Sequence, residues 1–359
     1  MKQFMACLFA FAITGCAVDD VDTDTDVSDI VGGTVDTTHH PEIFKLHVAG
    51  VDCTATLMSA STFIATGRCI NYVYTTRAPG TATFLDGSTR ATGLLLGLSN
   101  TTGSNDLVFG QLQTPVTFSF TPAAFSTYEP SSETLTILGN GCTVRTAGCS
   151  PAVRSYRTYF YSGQSSQYDS FGDFGAPTWV GGITDQGPIV RIASSWDSGT
   201  GNDIGADTVS HRPSILAYNT ALQGSQIGYR GSMQNVLWAD PAVGGGVLGV
   251  PGGGLRMEGI EVWSNVAGDH VFYQTAGQDY SWTSEASDGT YSGTFGLSKR
   301  LEAIKIRATK LVNGVNVAKT VTYRSYVHGV GWQDWVSNDA VSGTIGQSRA
   351  IEAIQVIFN

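Results

Sequence analysis

The sequence predicts an all-β chain in two parts, and three observations carry that prediction. Only 14% of its 359 residues are charged while 44 are glycine, a composition that suits a β protein with many turns. Short alternating apolar runs broken by Gly, Asn, Asp and Pro fill residues 30–222, the rhythm of strands in a barrel or sandwich. Beyond residue 228 the chain repeats itself. A chain of this length also exceeds what one core usually holds, so two folded units are expected.

The N-terminus reads as a signal peptide over residues 1–15. Lys2 precedes the apolar run FMACLFAFAITG, which is too short to span a bilayer comfortably. The run ends in ITGC, Ile13 to Cys16. This resembles the lipobox of bacterial lipoproteins, with small residues at Thr14 and Gly15, although leucine is commoner where Ile13 stands. The resemblance implies that Cys16 is lipidated and that the chain is exported and membrane-anchored. Ala17, rather than Asp, after the cysteine points to the outer membrane or cell surface. Residues 16–29 follow as an Asp-rich tether, because AVDDVDTDTDVSD has nothing to bury and repels itself. Its D-x-D-x-D spacing lacks the turn glycine and distal glutamate of a calcium loop, so no metal is expected. No cofactor is expected either. The net charge of −10 argues against nucleic acid as a partner.

Cys7 leaves with the signal and Cys16 carries lipid, so Cys53, Cys69, Cys142 and Cys149 remain for an oxidising compartment. Three pairings are open to them. Short local loops favour Cys53–Cys69 and Cys142–Cys149.

TATLMSASTFIAT, TATFLDGS, LTILGNG and PIVRIASSW predict strands, and HRPSILAYNTAL at 211–222 predicts a closing helix. Five stretches of residues 30–222, in the right order, resemble the trypsin-like serine proteases: IVGG at Ile30–Gly33, CTATLMSASTFIATGRC with both cysteines, NDLVFGQLQTPV, GNG at 139–141 and SSW at Ser194–Trp196. The resemblance implies a chymotrypsin-like double β-barrel. It also implies positions for a base, an orienting acid and a nucleophile, which here are Arg68, Asp106 and Phe174. A guanidinium cannot accept a proton, and phenylalanine has no nucleophilic atom. In subtilisin, losing the nucleophile or the base alone costs about a million-fold. An inactive domain is therefore expected, with Arg68 bridging to Asp106 because a buried acid needs a partner. The activation pair falls on Ile30 and Asp173, but Asp29 precedes the Ile, so trypsin-like cleavage is not expected there. Tyr168 and Ser170 stand where the resemblance places the pocket floor and a bracing cysteine, implying a blocked or reshaped pocket.

Three units, 229–262, 273–306 and 323–356, align without gaps over 34 positions within residues 228–359. Each begins at a tyrosine (Tyr229, Tyr273, Tyr323) and reaches a tryptophan nine residues on (Trp238, Trp282, Trp332). Each has glycines at Gly249, Gly293 and Gly343 and again three residues later, and a glutamate at Glu258, Glu302 and Glu352. A unit of this size cannot bury its own apolar face, so three should share a core as a pseudo-threefold, β-prism-like domain. The units resemble ChW repeats, hydrophobic modules of bacterial secreted proteins with a signature tryptophan, which implies a surface-binding or adhesion role. The triplicated tryptophans read either as core anchors or as stacking sites for sugars, with core favoured. Trp263 and Trp335 lie outside that position and are the better exposed candidates. The triplicated glutamate is expected to hold a backbone donor or a basic side chain.

Together these readings give a tethered lipoprotein that binds a protein, a peptide or a surface glycan and does not cut. The rival readings are an active secreted endopeptidase with a rearranged site and a purely structural envelope lipoprotein.

Overall fold

The computed structural model describes residues 34–70, 75–76, 78, 80–98, 106–140, 154–161, 174–197, 202–223 and 227–358. Almost all of the regular structure is β, as the alternating runs predict, and the helix Arg212–Ala221 lies where the sequence places it.

Six antiparallel strands close into a barrel. Ile43–Val48 pairs with Val51–Leu57, which pairs with Thr62–Ala65, then Val108–Leu112, then Thr89–Gly97, then Gly80–Thr83, and so back to Ile43–Val48. Closure leaves no free edge among these strands. Inward-facing Phe44, Leu46, Phe63 and Leu95 fill it. Gly110 lets the Phe63 ring lie flat on its backbone, since a Cβ there would sit 2.1 Å from the ring. The disulfide Cys53–Cys69 forms, with Cα atoms 5.7 Å apart, and ties the turn Gly67–Ile70 to strand Val51–Leu57. Cys142 and Cys149 lie outside the described residues, as do Cys16, Ile30, Tyr168, Ser170 and Asp173.

Beside the barrel lies a six-strand antiparallel sheet, in the order Thr34–Val35, Ser155–Tyr161, Glu133–Gly139, Pro177–Val180, Ile189–Asp197, Asn202–Asp207. Among the described residues this sheet is open. A second apolar cluster joins it to the barrel and the helix through Leu96, Phe109, Trp179, Ile192 and Tyr218.

The three repeat units each contribute one pair of long antiparallel strands: Ile227–Met233 with Met257–Ser264, Asp269–Gly277 with Leu301–Val312, and Val321–Val327 with Ile351–Phe358. Each loop then lends a short strand to a neighbour. Ser292–Gly293 of the second unit pairs with the first, Ser342–Gly343 of the third with the second, and Leu248–Gly249 of the first with the third. The exchange closes a ring, so each unit is completed by another. The same bulge recurs at Ser232/Met233, Ala276/Gly277 and Tyr326/Val327.

The triplicated residues now have physical reasons. Gly249, Gly293 and Gly343 have φ of +91°, +140° and +114°, and a Cβ would fall 2.2–2.4 Å from a carbonyl oxygen of the strand they join. Only glycine fits a lent strand so close to its host. Tyr229, Tyr273 and Tyr323 fill the shared core and donate their hydroxyls to the carbonyls of Gly246, Thr290 and Ala340. Two of these hydroxyls also accept a backbone N–H from another unit, Val356 to Tyr229 and Ile306 to Tyr323. Burial pushes the phenols of Tyr229 and Tyr323 up to about 12.

Candidate functional site

The three positions assigned by the protease resemblance converge at the junction of barrel and sheet. Arg68 sits on the short turn Gly67–Ile70, pinned by Cys69. Asp106 immediately precedes the barrel strand Val108–Leu112 and is fully buried. Phe174 is held by its own carbonyl, which accepts the N–H of Thr54 at 2.8 Å. The next residue must be glycine: Gly175 has φ +87°, and a Cβ there would lie 1.9 Å from the Thr54 carbonyl oxygen.

The Arg68 guanidinium lies over the Phe174 ring, 4.2 Å from its centroid. The two replaced positions therefore stack on each other as a cation–π pair. Asp106 is held by neutral donors. Its Oδ1 accepts the Gly67 N–H at 2.7 Å, and its Oδ2 accepts the hydroxyls of Thr66 at 2.5 Å and of Ser194. Burial pushes the Asp106 carboxyl up, against the pull of Ser194, Thr66, the Gly67 amide and the Arg68 charge. No ion pair joins Arg68 to Asp106, which corrects the expected bridge. The carboxylate is already saturated by hydroxyls and an amide, and the guanidinium has a ring to lie on. Ser194, in the SSW stretch of the strand Ile189–Asp197, is the donor that the sheet supplies to this acid.

The histidines near the base segment are occupied elsewhere: His39 on Asp36, His40 on Glu42 and the Ile183 carbonyl, His47 on Asp52. Among the described residues no group of three or more His, Cys, Asp and Glu side chains comes together as a metal site requires. At the two positions that the protease resemblance assigns to base and nucleophile, the junction of barrel and sheet thus carries a guanidinium and a phenyl ring.

The repeat ring carries a second constellation on its outward sheet faces, where a cation lies on an aromatic ring in every unit. In the first unit Arg230 lies 3.9 Å from the Trp238 ring centroid, in the second Lys305 lies 5.1 Å from Trp282, and in the third Arg324 lies 4.6 Å from both Trp332 and Trp335. The first-unit face is sealed against the barrel domain. Arg230, 0% exposed, donates Nε to Glu261 Oε2 at 2.7 Å, Nη1 to the Gly97 carbonyl and the Tyr218 hydroxyl at 2.9 Å each, and Nη2 to Thr75 Oγ1 at 3.0 Å. Thr75 in turn donates to Glu261 Oε1 at 2.6 Å. Burial pushes the Glu261 carboxyl up although Arg230 opposes it; burial works against the Arg230 charge, and Glu261 with Tyr218 more than offsets it.

Trp263 was expected at the surface and is instead 0% exposed, packed into the cluster shared by barrel, sheet and helix. Its position on the docked face explains this: Gly228 on the paired strand leaves room for the indole to lie against the backbone. Trp263 is therefore part of the inter-domain core and no surface binding residue. Trp335 is exposed, as the sequence suggests, at 40%. Of the signature tryptophans, Trp238 is buried while Trp282 and Trp332 are half-buried. Two of the triplicated glutamates link neighbouring units and the third pairs within its own. Glu352 accepts the Gly252 N–H at 2.8 Å, Glu302 accepts the Gly346 N–H at 3.2 Å, and Glu258 pairs with Arg256 at 2.7 Å.

The family model described as clostridial hydrophobic W (ChW) matches residues 277–310 and 326–358, so the C-terminal region carries ChW repeats. The model does not cover the first unit, whose outward face is given over to the barrel. No protease family model matches, and the chain matches no curated protein.

Proposed function

We propose that this chain is an exported, lipid-anchored binding protein whose N-terminal domain is a trypsin-like fold without catalytic power. One observation carries the reading: at the two positions where the resemblance needs a proton acceptor and a nucleophile, Arg68 and Phe174 pack on each other. Neither side chain can take a proton from an attacking oxygen or supply one. In this reading the six-strand barrel and the adjoining sheet are the two halves of a chymotrypsin-like double barrel, and the repeats form a β-prism-like ring. Residues 1–15 are the signal and Cys16 with residues 17–29 the tether. The ligand is a protein, a peptide or a surface glycan, met by the former cleft or by the ring. The test is hydrolysis of casein and of a fluorogenic peptide library by the purified chain. No turnover above buffer is expected from wild type. Turnover that persists through repeated purification and disappears in D106N would overturn the reading in favour of a rearranged protease.

A further inference from the structure

The first and third repeat units present the same outward machinery with one change of charge. Arg230 and Arg324 each follow the triplicated tyrosine by one residue. Each donates Nε across to the paired strand, Arg230 to Glu261 and Arg324 to Gln355 Oε1 at 2.9 Å, and those two acceptors occupy equivalent places in their units. Where the first unit has a carboxylate, the third has a neutral amide. Arg324 forms no ion pair among the described residues, and no protein acceptor meets its Nη nitrogens there.

Arg324 is also held in a fixed pose. Trp332 and Trp335 lie on it at 4.6 Å each, and Tyr326 braces Trp332 edge-on at 5.6 Å. With two indoles against the guanidinium, its edge is the route for further hydrogen bonds, and that planar fork fits a carboxylate with two parallel N–H donors. Of the eight Lys and Arg in residues 299–359, Lys299, Arg300, Arg307 and Lys319 are ion-paired with carboxylates, so Arg324 itself supplies the unpaired positive charge of this face. Beside the fork, Trp335 is 40% exposed and Trp332 half-buried, so aromatic surface flanks the site of the charge. A ligand that brings its carboxylate on a rigid, hydroxylated ring uses both features; an acidic peptide uses only the first.

We propose that Arg324, Trp332 and Trp335 bind uronic acid residues of an acidic polysaccharide, the fork taking the carboxylate and the indoles the sugar ring. The proposal rests on the binding reading above and gives it a ligand class. The test is titration of the purified full chain with polygalacturonate oligosaccharides, with the same oligosaccharides after carboxyl reduction, and with poly-glutamate. Wild type should bind polygalacturonate, with the reduced form at least about tenfold weaker. R324Q and Q355E should each weaken binding at least about tenfold, the first by removing the cation and the second by neutralising it in place. W335A should weaken it while the melting midpoint stays unchanged. Equal binding of charged and reduced oligosaccharides, or indifference to R324Q, overturns the proposal. Poly-glutamate bound through Arg324 as tightly as polygalacturonate overturns it in favour of an acidic protein partner. Binding to none of the three probes overturns it as well, while the broader binding reading stands or falls on the hydrolysis test.

Discussion

Arg230 and Arg324 occupy equivalent places in two copies of one unit, yet one is sealed between domains and the other is only half-buried. Both lie on the signature tryptophan and both give Nε to the neighbouring strand. The difference lies in the counter-charge and the cover. Glu261 neutralises Arg230 inside the interface, and Gly97, Tyr218 and Thr75 of the first domain absorb its remaining donors. Gln355 leaves Arg324 charged and open. A repeated scaffold thus supplies one generic device, a cation laid on an indole, which in one copy joins two domains and in the other stays uncovered. A buried pair is worth retaining only while both partners are present, because either alone is a desolvated charge.

The largest effect should come from breaking the sealed face. R230M leaves Glu261 buried without its cation and should cost roughly 3–5 kcal/mol of stability in urea unfolding. The double variant R230M/E261M should recover much of that loss, since no charge remains buried. If R230M is tolerated as easily as a surface change, the contrast between the two faces collapses.

G293A probes the strand that the second unit lends to the docked first unit. With φ +140° and a Cβ 2.4 Å from the Glu258 carbonyl oxygen, it should cost roughly 1–3 kcal/mol. G346A, at φ +70° with nothing within 4 Å, should cost less. Equal losses at the two sites would show that the ring does not depend on close strand exchange.

A pH series sharpens the other buried acid. The carboxyl of Asp106 is raised by burial, so the folded state holds its proton more tightly than the unfolded chain does. Its contribution to stability is greatest at low pH and is lost as pH rises from the ordinary carboxylate value through the raised folded value. The urea midpoint of wild type, measured against D106N, should therefore decline across that window. A wild-type advantage that grows with pH would show that the donors outweigh burial and would contradict the raised Asp106 carboxyl.

The smallest effects belong to the open face. R324Q should change stability by no more than about 1 kcal/mol, in contrast with R230M, and its consequence should be chiefly in ligand binding. Q355E should cost about 1 kcal/mol more than R324Q, because it also removes the Gln355 amide's donation to the Gly245 carbonyl at 2.6 Å.

Much of this architecture was legible in the residues. The alternating runs located the barrel strands, the gap-free repeats announced a shared core, and the positions that the protease resemblance assigns, Arg68 and Phe174, were readable one by one. What remained hidden depended on contacts between distant segments. Nothing local to Trp263 distinguishes it from an exposed tryptophan; the barrel domain buries it. The sequence alone pairs Arg68 with Asp106 because charge invites charge, but Thr66 and Ser194 fill that carboxylate, and Ser194 arrives from a strand 88 residues away. The Arg230 and Arg324 faces left a trace in sequence, an arginine directly after the triplicated tyrosine in two units of three. Its meaning appears only once the paired strand places Glu261 or Gln355 opposite.

The proposal that this chain does not cut is tested most directly by intact-mass spectrometry of the purified protein after incubation with a fluorophosphonate. The expected result is an unchanged mass at concentrations that label trypsin-like enzymes completely. A stoichiometric adduct on one serine, lost when the protein is unfolded beforehand, would contradict it.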